Sequence, residues 1–555
     1  MQIQEVMKGI SLTKNKAVLI PTWDQYKREH VPDNINLFFY LTNFKCSNGI
    51  LFLFAKKIIL FTDSRYYDAA KIHNFDEVFL LKDFKKVIIN LDIKSLVFDG
   101  CLFTFDYFKS FDLELCCIDS ISEYLGVDFE PKINKTSIYI YQYSELSSEE
   151  KCKKYSKEKP WLILDHETIS WLLNIRCLES DSEDLSVTSK AILYNDGTID
   201  LYLDDHFICD EITDVYSHVT IKKSDELEDI LKSNIDIYIN KDISYQLYNV
   251  LVLSGHEGSM VENHCLLPKA CKDFIEREGA IDAHIRDGVA ITKMLHWLFE
   301  DALYFSEKDI ADQLLSIRKE DNKFTTNSFA TISALGKNST YIHYNSYSTN
   351  KVNHEFNDIL LLDMGGHYIA GTTDVSRTFI IGEPSEDHRK HYTLVLKGHI
   401  ALASVIFPKD QGVTGKQLDI LARQYLWGNG LDYKHGTGHG VGSCLSVHEG
   451  PHSFGNNVRL KQNMLITIEP GVYLPDKYGI RIENVMLIEE YNETSLYFKP
   501  LTLVPIDIRL LSFSLLTDYE LNWVMKYNKM VLDKLTKYFD YDILDWYTKF
   551  FGISD

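Results

Sequence analysis

Four carboxylates in the last third of this chain stand inside or beside apolar, strand-like runs: Asp363 in LLLDMGG, Asp374 in GTTDVSRT, Glu469 in ITIEPGVY and Glu483 in IRIENVML. Asp363 follows Ile359, Leu360, Leu361 and Leu362, and Glu469 follows Ile466 and Ile468. A fold that buries these runs buries the acids with them, and an unpaired buried carboxylate costs several kcal/mol. Cations must therefore meet them. Arg377 and Arg481 are one possible source, and metal ions are another. His439, in HGTGHGVGS, adds one imidazole to an otherwise oxygen-rich set. Such a set suits two divalent cations side by side, not a structural zinc, which favours Cys and His. Four carboxylates would balance the charge of two such ions. Two metals about 3.5–4 Å apart can hold a bridging hydroxide and polarise a carbonyl, the chemistry of metal-assisted hydrolysis.

Composition narrows the class. At 555 residues the chain exceeds one ordinary domain, and 45% apolar and 13% aromatic residues supply several cores. With 58 basic and 80 acidic residues the net charge is −22, which argues against nucleic acid or an anionic membrane as partner. MQIQEVMKGISLTKNKAVLIPT has no apolar stretch behind a basic start, so no secretory signal is expected. No segment approaches the ~18 apolar residues of a membrane span. The ten cysteines form no CxxC pair. A cytoplasmic protein with reduced thiols is expected.

The first two blocks look alike. Each runs from an apolar strand (AVLIPT; WLILD) through a short helix into a paired-strand segment, GILFLFAKKIILFTD in one and KAILYNDGTIDLYLDD in the other. Asp196-Gly197 between alternating apolar runs is a hairpin signal. We read two copies of one α/β unit. From about residue 274 the pattern changes. DFIEREGAIDAHIRDGVAITKMLHWLFEDAL has the spacing of a long amphipathic helix. DILLLDMGGHYIAGTTDVSRTFIIG reads as one hairpin, with Gly365, Gly366 and Gly371 in its turn and Asp363 facing Asp374 near its open end. Glu469 and Glu483 fall at strand positions and can project to one face.

HGTGHGVG sets His435 and His439 in a loop whose interleaved glycines argue against a helical pair. His448 in SVHEGP and His343 in YIHYN join them as candidates. Beside four strand-borne acids they read as parts of one site, not as isolated core histidines.

These segments, with FATISALGKNSTYIHY, VLKGHIALA and FKPLTLVPID, resemble the pita-bread metallopeptidases, the superfamily of methionine aminopeptidase, prolidase and aminopeptidase P. The similarity is greatest to the eukaryotic cytosolic aminopeptidases P, or Xaa-Pro aminopeptidases. It runs back through AHIRDGVAI to TDSRYYDAA, but LTNFKCSNG stands where family members often read SGFxGSxG. The resemblance implies an α/β (α+β) fold, with two creatinase-like N-terminal α/β domains, 1–130 and 131–265. A pita-bread catalytic domain, 266–555, would follow, with a C-terminal helical extension. It implies a metal-dependent exopeptidase that removes the N-terminal residue from Xaa-Pro peptides. Asp363 would bind one of two metals alone, and Asp374 and Glu483 would bridge both. His439 and Glu469 would bind the second, and Glu469 would also act as general base. The metal expected is manganese. His343 and His448 would contact the substrate and stabilise the tetrahedral intermediate, His435 would line the pocket, and Arg65 would contact substrate. A homodimer is also implied. The aromatic-rich segment from Thr517 onward could serve that contact or pack on its own domain. Rival readings are a prolidase, which must confine a dipeptide, a creatinase-like metal-free hydrolase, and a metal-free pita-bread binding module.

Overall fold

The runs KAVLIP, GILFLF and KIILFT, at Lys16–Pro21, Gly49–Phe54 and Lys57–Thr62, are rich in β-branched and aromatic residues and almost wholly buried. Such runs favour strands covered on both faces. The computed structural model describes residues 2–553 except 10–11, 13–14, 179–182, 234, 257, 302–304 and 348–356. It forms two compact units, Met1–Gln142 with Leu146–Cys265, and Tyr143–Glu145 with Leu266–Asp555.

The first unit holds two six-stranded sheets of the same design. In one, Lys16–Pro21 pairs antiparallel with Gly49–Phe54, which pairs with Lys57–Thr62; parallel strands Ser95–Asp99 and Glu114–Ile118 extend the other side, and Glu77–Leu80 closes the first edge. In the other, Trp161–Ile163, Lys190–Leu193, Ile199–Leu203 and Val219–Lys223 repeat that order, with Tyr238–Ile239 and Ser259–Met260 on the far side. The repeat is therefore structural, and both copies lie in one compact unit. The hairpin around Asp196-Gly197 forms as expected, Lys190–Leu193 against Ile199–Leu203.

The long helix of the second unit, Phe274–His296, is capped by a reciprocal Asp273–Glu276 box. It continues as a π turn over Trp297–Asp301; residues 302–303 of the expected helix lie outside the described residues. A three-stranded sheet, Ile332–Leu335, Asp358–Met364 and Val375–Ile381, stands near a six-stranded one containing His439–Gly440, Glu449–Ser453, Leu465–Ile468 and Asn484–Asn492. The helices Asp518–Leu535 and Tyr541–Phe550 pack Val524, Val531 and Tyr547 into the same core as Leu360, Leu362 and Phe379. The segment thus packs on its own domain, one of the two readings open for it. All ten cysteines are free thiols. No helix among the described residues is long and apolar enough to cross a membrane.

The hairpin expected over 358–382 is corrected in two respects. Asp358–Met364 does pair with Val375–Ile381, but Asp363 lies opposite Ser376 and not opposite Asp374, which stands just before the paired strand. The glycines between them do not make a simple turn. Gly366–Tyr368 and Gly371–Thr372 form a second small hairpin that pairs with the distant strand Phe324–Asn327. A Cβ on Gly365 would lie 2.1 Å from Ser328 Oγ and 2.4 Å from Thr373 O, so only glycine fits where the chain leaves the first sheet.

Candidate metal centre

Each carboxylate sits where a strand stops. Asp363 is the next-to-last residue of Asp358–Met364, and Asp374 stands directly before Val375–Ile381. Glu469 and Glu483 occupy the breaks between Leu465–Ile468 and Gly471–Leu474, and between Tyr478–Arg481 and Asn484–Asn492. The chain kinks there, because Pro470 has no N–H to continue the ladder. The register runs through the kink unchanged. Ile468 pairs with Asn484 and Gly471 with Arg481, which leaves Glu469 and Glu483 opposite each other. The backbone groups freed there find other partners: Glu469 N–H donates to Thr437 O at 2.8 Å, and Glu483 N–H to Ser376 O at 3.0 Å.

His439 comes from the glycine-rich loop, which is a short strand and not a helix. A Cβ on Gly438 would lie 1.9 Å from Thr467 O, so glycine is required for this approach. His439 N–H donates to Thr467 Oγ1 at 3.1 Å, and its Nδ1 lies 3.0 Å from Gly440 O. With Nδ1 engaged there, Nε2 faces the acids as a ligand nitrogen. It stands 3.5 Å from Asp374 Oδ2 and 3.7 Å from Glu469 Oε1. Asp374, His439 and Glu483 each offer one ligand atom, all within 4.8 Å of one another.

Asp374 and Glu483 are 3% and 2% exposed, so mutual repulsion is hardly screened. Burial, then the charges of Glu483, Asp363 and Glu469, hold the Asp374 carboxyl well above the usual carboxylate range. Burial, then Asp363, push Glu483 up to about 7, although Arg481 and the Ser376 hydroxyl oppose them. Of the two rival arginines, one reaches an acid: Arg481 Nη2 donates to Asp363 Oδ2 at 2.5 Å. Arg377 instead donates to the backbone carbonyls of Val504 and Pro505 and to Tyr527 Oη. Among the described residues, one guanidinium for four carboxylates leaves a deficit of cations, and Asp363 Oδ1 is buried without a hydrogen-bond partner. An oxygen-rich, cation-deficient cluster with one oriented imidazole fits a pair of hard divalent ions.

The remaining candidates fall into place unequally. His448 stacks edge-on to His439, ring centroids 4.3 Å apart. His435 Nδ1 lies 3.7 Å from Glu469 Oε2, and Tyr473 Oη is 2.9 Å from its Nε2. Tyr473 Oη also accepts from Arg481 Nη1 at 2.7 Å. His343 is half-buried on the turn after Gly336–Thr340. Arg65 lies in the first unit, held by Asp63 at 2.7 Å and Glu29 at 3.2 Å. The sequence reading missed Ser376, whose hydroxyl donates to Glu483 Oε2 at 2.8 Å and accepts from Arg481 Nε at 2.7 Å. Its only sequence signal is its place two residues after Asp374.

The model of metallopeptidase family M24 matches residues 278–490, that of the C-terminal region of peptidase M24 matches 494–549, and that of the creatinase/prolidase N-terminal domain matches 123–276. The probable Xaa-Pro aminopeptidase P of Aspergillus flavus is 32% identical, over 95% of this chain and 88% of its own. The Xaa-Pro aminopeptidase app-1 of Caenorhabditis elegans is 30% identical, over 95% and 93%. The crystal structure of X-prolyl aminopeptidase from C. elegans, described as a cytosolic enzyme with a di-nuclear active site, superposes with a TM-score of 0.87 at 29% identity, covering 96% of this chain and 94% of that one. The prolidase of Pyrococcus horikoshii shares the fold, with a TM-score of 0.52 at 23% identity, over 65% of this chain and 99% of its own. By its full-length relatives and its matched domains, this chain belongs to metallopeptidase family M24 and, within it, to the Xaa-Pro aminopeptidases.

Proposed function

We propose that this protein is a metal-dependent exopeptidase that removes the N-terminal residue from peptides with proline in second position. One observation carries the reading: among the described residues, four converging carboxylates meet one imidazole and a single guanidinium, an arrangement that calls for added cations. An X–Pro bond is a tertiary amide without an N–H, so an enzyme that grips backbone N–H groups cannot hold it. A centre that takes the free N-terminal amine and the scissile carbonyl directly has no such need. Two divalent ions held by Asp363, Asp374, His439, Glu469 and Glu483 would supply Lewis acidity and acidify a water.

In this reading Glu469 takes the proton of the attacking water. Its position 3.7 Å from both His435 Nδ1 and His439 Nε2 supports that role. His448 and His343 hold the developing oxyanion, His435 lines the pocket and Arg65 meets substrate. Manganese, a homodimer, a cytosolic location and the domain limits 1–130, 131–265 and 266–555 complete the reading; the cytosolic, di-nuclear C. elegans relative supports two ions and that location. Hydrolysis of Arg-Pro-Pro and of Xaa-Pro dipeptides, with Mn²⁺ added and removed, tests it. We expect Mn²⁺-dependent release of arginine from the tripeptide. Cleavage of dipeptides alone would make the protein a prolidase, and no turnover with any divalent ion would leave a binding module. Light scattering after size exclusion decides the dimer.

A further inference from the structure

The helix Glu307–Arg318 carries a buried charge at each end, and each end grips a different part of the site's surroundings. Ser306 caps it and Glu307 is its first residue. The Glu307 carboxylate is buried, and its acceptors are taken by three neutral donors: Leu335 N–H at 2.6 Å, Asn338 Nδ2 at 2.9 Å and Tyr344 Oη at 2.7 Å. Asn338 Nδ2 also donates to Tyr344 Oη at 3.0 Å. A buried carboxylate held this way is costly, and the helix N-terminus offsets only part of that cost. What it secures is the segment after Ile332–Leu335, which carries His343 next to Tyr344. One turn along the same helix, Asp312 accepts from Tyr347 Oη at 3.0 Å. Ser346 Oγ, between these tyrosines, accepts from Ser333 N–H at 2.6 Å and donates to Thr331 O at 3.1 Å. His343 thus sits in a segment fastened at 344, 346 and 347.

The other end reaches the metal strand. Arg318 is fully buried; Nη1 donates to Gly365 O at 2.8 Å and Nε to Asp287 Oδ1 at 2.8 Å. Asp287 Oδ2 accepts from Thr373 Oγ1 at 2.7 Å, one residue before Asp374. The helix therefore spans from the neighbour of His343 to the neighbours of Asp363 and Asp374.

We infer that this helix is a bracket that fixes His343 relative to the metal carboxylates, with Glu307 and Tyr344 as positioning residues for the reaction. The inference rests on the substrate-side role read for His343. Kinetics on Arg-Pro-Pro with Mn²⁺, calorimetric Mn²⁺ titration and Tm are compared for the wild type, Tyr344→Phe, His343→Gln and the double variant. We expect Tyr344→Phe to lower kcat by on the order of 10-fold, since small misplacements of a reacting group are expensive. KM, Mn²⁺ affinity and Tm should stay near wild type, and the substitution should have no further effect in the His343→Gln background. Glu307→Gln, which keeps one acceptor oxygen, should show the same split and guards against a folding defect in one variant. A fall in kcat of the same factor in both backgrounds, or unchanged kcat in Tyr344→Phe alongside a large loss in His343→Gln, would overturn the bracket alone. Wild-type kcat in His343→Gln would instead remove the role of His343, and the bracket's purpose with it.

Discussion

Two kinds of buried acid coexist in the second unit. Glu449 is enclosed with two lysines, Lys269 Nζ at 3.0 Å from Oε2 and Lys272 in contact with Oε1. Asp287 has Arg318 at 2.8 Å and two hydroxyl donors, Tyr368 at 3.0 Å and Thr373 at 2.7 Å. Asp363, Asp374, Glu469 and Glu483 share one guanidinium, Arg481. The titration behaviour splits accordingly. Burial alone would raise Glu449, but Lys269 and Lys272 outweigh it and hold the carboxyl below its usual range. Asp374 and Glu483, equally buried, are both raised. The protein thus neutralises some buried acids with lysine or arginine and leaves this cluster of four with one guanidinium. A buried acid whose acceptors are all filled, by lysines at Glu449 or by neutral donors at Glu307, serves the fold; crowded acids with too few donors suit an incoming ion.

The sharpest break in that contrast is functional. Glu469→Ala should lower turnover on Arg-Pro-Pro by on the order of 10³-fold or more, the worth of several kcal/mol of metal-centred stabilisation. Circular dichroism should show the fold intact. Retained activity in a folded variant would sink the assigned role. Next comes a difference in sign. Glu449→Gln strands two buried ammonium groups and should cost about 3–5 kcal/mol in urea unfolding. Glu483→Gln should leave the metal-free protein as stable as before or more so, because it removes repulsion. Equal losses in both would erase the distinction between the two kinds of acid. Adding Mn²⁺ at a hundred times its dissociation constant should stabilise the protein by about 2.7 kcal/mol per site. Chelation should reverse the gain, and Asp374→Asn should abolish most of it. The smallest effect concerns pH. In the metal-free protein the folded state holds the Glu483 proton up to about 7, whereas the unfolded chain releases it near the ordinary value of 4.5. The folded state then binds more protons across that window, so stability falls as pH rises through it, by on the order of 1 kcal/mol per pH unit. Urea midpoints from pH 5 to 7 should show the decline; Glu483→Gln should lessen it, since Asp374 is raised as well, and saturating Mn²⁺ should flatten it.

The four clustered carboxylates were legible in sequence because an acid inside or beside an apolar strand is a local contradiction. The expected residues do converge: Asp374, His439 and Glu483 directly, and Glu469 through His439. What was not legible depends on distant partners. The glycines between Asp363 and Asp374 look like a turn until Phe324–Asn327, some 40 residues earlier, takes up the segment as a strand. Arg377 and Arg481 are equivalent as sequence neighbours of acids, and only the packing of Val504 and Tyr527 shows why one turns away. Glu307 and Tyr344 are 37 residues apart, and Arg318 and Asp287 are 31 apart, with no pattern linking them.

The unbroken register across the Glu469–Glu483 kink also limits how this protein can change in length. Both acids face the centre only while Ile468 stays opposite Asn484 and Gly471 opposite Arg481. One residue gained or lost within either strand would turn an acid away from its partner. The exposed turn at Pro475, Asp476 and Lys477 lies beyond the last pair, Leu474 with Tyr478, and bears no such constraint. Insertions, whether natural or engineered, belong there: a reporter peptide spliced after Asp476 should leave metal binding intact, while a single alanine inserted after Ile468 should abolish it.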